Sequence, residues 1–190
     1  MIKQNKPALL VIDAQLGIKE EAHWGGNRNN PEAEKNIELL LTHWRKLKLP
    51  VIIVQHCSIS PSSPFRPDQP GNELMGFIKL TGMDKLIRKS TTSAFIRTDL
   101  QQHVEQESIS ALIVTGFVTN NSVEATARTS GDLGIETVVV SDATACFDKT
   151  LINGTKYKSD VVHALSLANL QDEYATIRTT EEVIQTIHNR

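Results

Sequence analysis

The stretch ALIVTGFVTNNSVEATAR, residues 111–128, decides how this chain folds. Ala111 to Thr115 is an apolar run too short for a helix, and it reads as a buried strand that stops at Gly116. A helical pattern runs from Val123 to Leu133, with Gly134 placed as its C′ residue. Four polar residues, Thr119-Asn120-Asn121-Ser122, occupy the corner between them. A strand feeding directly into a helix is half of a βαβ unit. Structurally, Ser122 is a helix-start residue, and Asn121 with Glu124 makes a capping box. Chemically, the corner lies where open α/β sheets bind ligands, at the carboxyl end of a strand.

The rest of the chain repeats this alternation. Ala8 to Ile12 is an apolar strand ending at Asp13. Asn30-Pro31 is predicted to open a helix, with Asn30 as N-cap and Ala33, Ile37, Leu40, Leu41, Trp44 and Leu47 as its apolar stripe. Val51 to Val54 is the next strand, ending at Gln55-His56. Ser58 to Gly76 is proline-rich and aperiodic. Loops this long are usually functional or interface-forming. Leu86 to Arg88 is a weak strand. Thr98 with Gln101 predicts a helix ending near Glu107. Thr137 to Val140 is a strand, Ser159 caps a helix to about Leu170, Ala175 to Arg178 is a last strand, and Thr179 with Glu182 boxes the terminal helix. Strands alternating with helices predict one domain over residues 1–190. Its expected architecture is a three-layer α/β/α, Rossmann-like arrangement around a six-stranded, mainly parallel sheet.

Composition narrows the function. The chain has 190 residues, 39% hydrophobic and 22% charged, with a formal net charge of −2. Neither nucleic acid nor an anionic membrane is an expected partner, because there is no basic cluster. No apolar run reaches membrane-span length and no export signal is visible, so a cytoplasmic protein is expected. Cys57 and Cys146 have no CxxC context and read as free thiols. The first strand is followed by DAQLGIKEE rather than GxGxxG, and no Walker motif occurs, so no nucleotide cofactor is expected.

Asp13, Lys89 and Ser122 each have a plain structural reading as a loop-capping carboxylate, a surface lysine and a helix cap. Their order alters that reading. LLVIDAQ (9–15), KSTTSAF (89–95), GFVTNNSVEATAR (116–128) and VVVSDATA (138–145) resemble, in order and spacing, the isochorismatase-like cysteine hydrolase superfamily, which includes nicotinamidases and N-carbamoyl amide hydrolases. The resemblance runs from about Pro7 to the C-terminus. It implies a hydrolase of a small amide, carbamoyl or vinyl-ether-type substrate. Asp13 is then the acid/base and Lys89 its electrostatic partner, with Ser122 where the family carries cysteine. It further implies a cis peptide before Val118, with the N–H groups of Val118 and Ser122 as an oxyanion hole, and a homo-oligomer, dimer or tetramer.

Serine departs from the pattern at the nucleophile. A thiol ionises easily beside a cation, whereas a serine hydroxyl needs a positioned base. Serine here fits a slow or specialised hydrolase, a ligand-binding protein without catalysis, or an engineered replacement of cysteine. Trp24, His56, Phe65 and Phe117 are the expected pocket-lining side chains. No metal is expected: metal-dependent nicotinamidases would require Asp-x-His where this chain has Gln55-His56-Cys57. Cys146 reads as a small packing residue. The 58–76 loop is the candidate for completing a neighbour's pocket.

Overall fold

The computed structural model describes residues 6–188 and shows one six-stranded sheet beside a small hairpin. The strands are β1 Pro7–Ile12, β2 Val51–His56, β3 Lys85–Lys89, β4 Ala111–Phe117, β5 Glu136–Ala145 and β8 Thr176–Arg178. Between the last two lies the antiparallel hairpin of β6 Lys149–Thr150 and β7 Lys156–Tyr157. The sheet order is β3-β2-β1-β4-β5-β8, and every neighbouring pair is parallel. The expected α/β fold is therefore present, and its sheet is parallel throughout.

Helices cover both faces. A short helix, α1 Glu21–Trp24, follows β1, and the longer ones are α2 Ala33–Lys46, α3 Leu100–Gln106, α4 Glu124–Asp132, α5 Ser159–Leu170 and α6 Thr180–His188. Side chains alternate across a strand. Leu9 and Val11 of β1 therefore join the core shared with α2 and α6, while Ala8, Leu10 and Ile12 join the core shared with α3, α4 and α5. Burial on both faces explains why β1 reads as an unbroken apolar run. Ala33, Ile37, Leu40, Leu41 and Trp44 of α2 are buried as their spacing predicts. The buried Trp44 indole N–H donates to the Pro7 carbonyl at 3.1 Å. Leu47 lies past the helix end and is exposed.

Several predicted helix starts differ. Asn30 does not cap α2, which begins three residues later; its backbone is left-handed, and its amide donates to Ser141 O and Thr144 O at 2.8 and 2.7 Å. The Thr98–Gln101 box is absent, because Thr98 donates to Ala94 O and Gln101 to Glu105. Glu124 is taken by Arg128 and Ser166, so it makes no box with Asn121. Ser159 is the first residue of α5 rather than its cap. The Thr179–Glu182 box does form, with N–H to carboxylate at 2.7 Å and N–H to hydroxyl at 3.3 Å.

Gly116 explains why β4 turns where it does. Its φ is 110°, and a Cβ there would collide with the Ile12 backbone, so β1 and β4 can approach this closely only at glycine. The register of β4 against β5 also shifts at this point. Among the described residues, no helix is long and apolar enough to cross a membrane.

Asp148 anchors the segment that follows β5. It accepts from Asn27 at 2.9 Å and from the Ser159 N–H at 2.9 Å, with Lys156 and Lys158 at 3.3 and 3.5 Å. The Asn27 hydrogen bond, then the Ser159 N–H and the two lysines, outweigh burial and hold its carboxyl down at about 2. An unfolded Asp titrates near ~3.9. The stabilising contribution is thus present above about pH 4 and is lost as pH falls towards about 2. Asp148→Asn should give a shallower loss of stability over that window in urea titrations. A slope identical to that of the unsubstituted protein would refute this anchoring role.

Candidate active site

Three strand ends bring Asp13, Lys89 and Ser122 together. Asp13 immediately follows β1, in the left-handed region at φ 50°, with its N–H bonded to Val54 O at 2.9 Å. Asp is among the few side chains that tolerate this conformation. Lys89 is the last residue of β3. Ser122 sits on a π-helical turn, Thr119–Val123, between β4 and α4. Such turns recur at functional sites.

Lys89 is the hub. Its Nζ lies 2.8 Å from Asp13 Oδ2, 3.1 Å from Ser122 Oγ, 3.1 Å from Thr91 O and 2.9 Å from His56 Nδ1. The Lys89 and Asp13 side chains are 0% and 1% exposed, so the pair is shielded from solvent. An N–H at His56 Nδ1 would point straight at the Lys89 ammonium, so the ring proton is placed on Nε2. The second carboxylate oxygen, Asp13 Oδ1, is buried and has no hydrogen-bond partner among the described residues. A buried acceptor left bare is uncommon and calls for an explanation.

The four polar corner residues have separate tasks. Thr119 Oγ1 donates to His163 Nδ1 at 2.9 Å, while His163 Nε2–H donates to Ser141 O at 3.1 Å. Burial pushes the His163 imidazole below its ordinary pKa, in keeping with a neutral ring. Asn121 and Ser122 face a pocket, and Asn120 faces a groove on the other side. The Phe117–Val118 peptide is cis, and Val118 also lines the pocket.

That pocket is a cavity of about 230 Å³. Asp13, Trp24, His56, Phe65, Val118 and Ser122 line it as the sequence suggested. Lys89 lies behind them. Phe117 is a correction: its ring is fully buried in the core, beneath the Arg28 guanidinium, and does not reach the cavity. Successive strand residues point to opposite faces, so the pocket-facing positions here are Val118 and those beyond it. Sequence reasoning missed His23, Thr92, Asn121 and the hydroxyls of Ser58, Ser60, Ser62 and Ser63. The 58–76 loop thus lines the pocket of its own chain. Its shape is set by Asn72, another residue missed, whose amide donates to His56 O and Phe65 O at 2.8 and 2.7 Å. Gln15 reinforces the same place, donating to Asn72 O at 2.8 Å and accepting from the His56 N–H at 2.7 Å.

Gln55 donates to Asn72 O and Oδ1 at 3.0 and 3.1 Å. Among the described residues, no three His, Cys, Asp or Glu side chains converge as a metal would require. Cys146 is buried and donates to Ser159 O at 3.2 Å. Burial, with Asp160 and Asp148 adding to it, pushes its thiol up to about 12.

Comparison with known proteins identifies the family. Residues 7–182 match the isochorismatase domain family. The uncharacterized isochorismatase family protein YrdC of Bacillus subtilis is 38% identical over 181 residues, covering 95% of this chain and 96% of that protein. Nicotinamidase 3 of Arabidopsis thaliana is 38% identical over 163 residues, covering 78% and 77%. A solved isochorismatase-family structure from Chromobacterium violaceum superposes with a TM-score of 0.93 at 38% identity, covering 99% of this chain and 96% of the other.

Proposed function

The chain belongs to the isochorismatase family, a family of hydrolases, and from that premise we propose that it hydrolyses a small amide, carbamoyl or vinyl-ether-type substrate in the pocket at Ser122. One observation carries the reading. Asp13 keeps one oxygen on Lys89 and the other bare, beside a serine that Lys89 also contacts. For an amide, Ser122 Oγ attacks the carbonyl carbon as its proton passes to Asp13 Oδ1. The N–H groups of Val118 and Ser122 hold the oxyanion. Asp13 then gives that proton to the leaving nitrogen as the C–N bond breaks, leaving an acyl-serine. Water attacks the ester carbonyl, its proton goes to Asp13, and on collapse Ser122 Oγ is reprotonated.

Lys89 donates to Ser122 Oγ and so draws electron density from the attacking oxygen. Turnover is expected to be slow, and the same contact supports the second reading, a ligand-binding homologue without catalysis. A panel of small amides and carbamoyl compounds, assayed for released amine or ammonia, separates the two. Hydrolysis should fall by about 100-fold or more in Asp13→Asn, the scale of a lost proton-transfer group. Activity equal to that of the unsubstituted protein would remove Asp13 from the mechanism. No turnover of any compound, together with no gain in Ser122→Cys, would leave the binding reading standing.

A further inference from the structure

The charges around the cavity point beyond the general hydrolase reading. Resting on that reading of the site, we propose that the pocket selects uncharged substrates, takes a flat neutral amide, and turns away molecules that carry an ionised carboxylate, with His56 as the residue that reads the difference.

Lys89 and Asp13 cancel each other, and the Lys89 side chain is wholly buried, with its protons directed to protein acceptors. Among the described residues, no arginine or lysine lines the cavity. Besides Asp13 and His56, its one titratable side chain is His23, which is exposed at the rim. A carboxylate entering here would lose its hydration without meeting a counter-charge, and burying an unpaired charge is costly. It would also face the bare oxygen of Asp13, acceptor against acceptor.

A neutral amide fits the same groups. His56 turns Nδ1 towards the Lys89 ammonium, so its Nε2–H, which has no partner among the described residues, is a donor available to the ligand. Asp13 Oδ1 is an unfilled acceptor. A donor and an acceptor side by side suit a neutral ligand that carries both kinds of group, as a carboxamide does. Trp24 and Phe65 offer apolar faces, their ring centroids 5.0 Å apart. The volume, about 230 Å³, is below the ~300 Å³ at which drug-sized pockets begin. Lys149 lines a separate small recess that shares Trp24, Val118 and Asn121 with the pocket.

Benzamide and benzoate are near-identical in shape and differ in charge, so calorimetric titration of the full chain with each tests the proposal directly. Benzamide should bind, and benzoate should bind at least about tenfold more weakly. His56→Gln, which keeps a side-chain N–H, should retain much of the preference, whereas His56→Phe should lose it. Benzoate binding as tightly as benzamide would overturn the proposal, as would binding of neither, or a preference unchanged in His56→Phe. If benzoate binds in the unsubstituted protein and fails to bind in Lys149→Ala, the recess reads carboxylates and the proposal is wrong. Should His56→Phe fail to fold, the comparison of the two ligands on the unsubstituted protein still decides. Binding needs no turnover, so a chain that prefers benzamide yet hydrolyses no amide would refute only the hydrolase reading.

Discussion

Ser122→Cys should be alkylated by iodoacetamide near about pH 7 at least a thousandfold faster than Cys146. Burial lifts the Cys146 thiol to about 12, leaving about one molecule in 10⁵ as thiolate at that pH. An ordinary thiol near ~8.5 is already about 3% ionised, which sets the thousandfold floor. At position 122 two features should widen the gap. Lys89 Nζ lies 3.1 Å from the present hydroxyl, and the N-terminal end of α4 follows directly. Lys89→Met in the Ser122→Cys background should slow labelling by removing the cation. Cys57, half-buried and contacting Asn72, serves as an internal comparison. Peptide mapping after brief alkylation reads all three positions. Labelling led by Cys57 or Cys146, or indifferent to Lys89, would mean the corner is only a helix start.

The second large effect concerns stability. Lys89→Met leaves the Asp13 carboxylate buried without its counter-charge. Breaking a buried pair from one side costs about 3–5 kcal/mol, roughly 10 °C in melting temperature for a chain of this size. Removing both charges, as in Asp13→Asn with Lys89→Met, should recover most of that loss, because no unpaired charge remains. The double-mutant cycle is read from urea midpoints. Additive losses would show that the two side chains contribute independently, contrary to their 2.8 Å contact. The alkylation comparison above is run well below the melting temperature of the less stable variant.

What the sequence revealed followed from physical range. Strands β1, β2 and β4 were legible because burial on both faces leaves an apolar run that needs no partner to recognise. Asp13, Lys89 and Ser122 were legible only as an ordered set, since each alone reads as a cap or a surface lysine and it is the order and spacing of their motifs that resembles the family. Helix starts were less so. Asn30 has a capping side chain, yet its amide finds carbonyls of Ser141 and Thr144, more than a hundred residues away in sequence. No local rule contains that competition. The serines of the 58–76 loop were invisible for a related reason. Their positions are set by Asn72 reaching across to His56 and Phe65, and an aperiodic loop gives no pattern from which to infer it. Phe117 was misplaced because an aromatic next to a site and an aromatic beneath it look alike until the pleat is known.

The central place of β1 has a consequence for how the chain comes to exist. One edge of β1 pairs with β2, but the other pairs with β4, whose first residue, Ala111, is opposite Pro7. During synthesis that second edge must wait for about 100 further residues, roughly 5–20 s at usual elongation rates. Throughout that interval the most apolar strand of the protein presents an open row of backbone donors and acceptors, the surface on which strands aggregate. Asp13 waits with it, since Ser122 has not yet been made. The site is therefore completed only after β4 has been added beside β1. A ribosome stalled before residue 111 would carry an incomplete sheet with no active centre, and a natural target for chaperones.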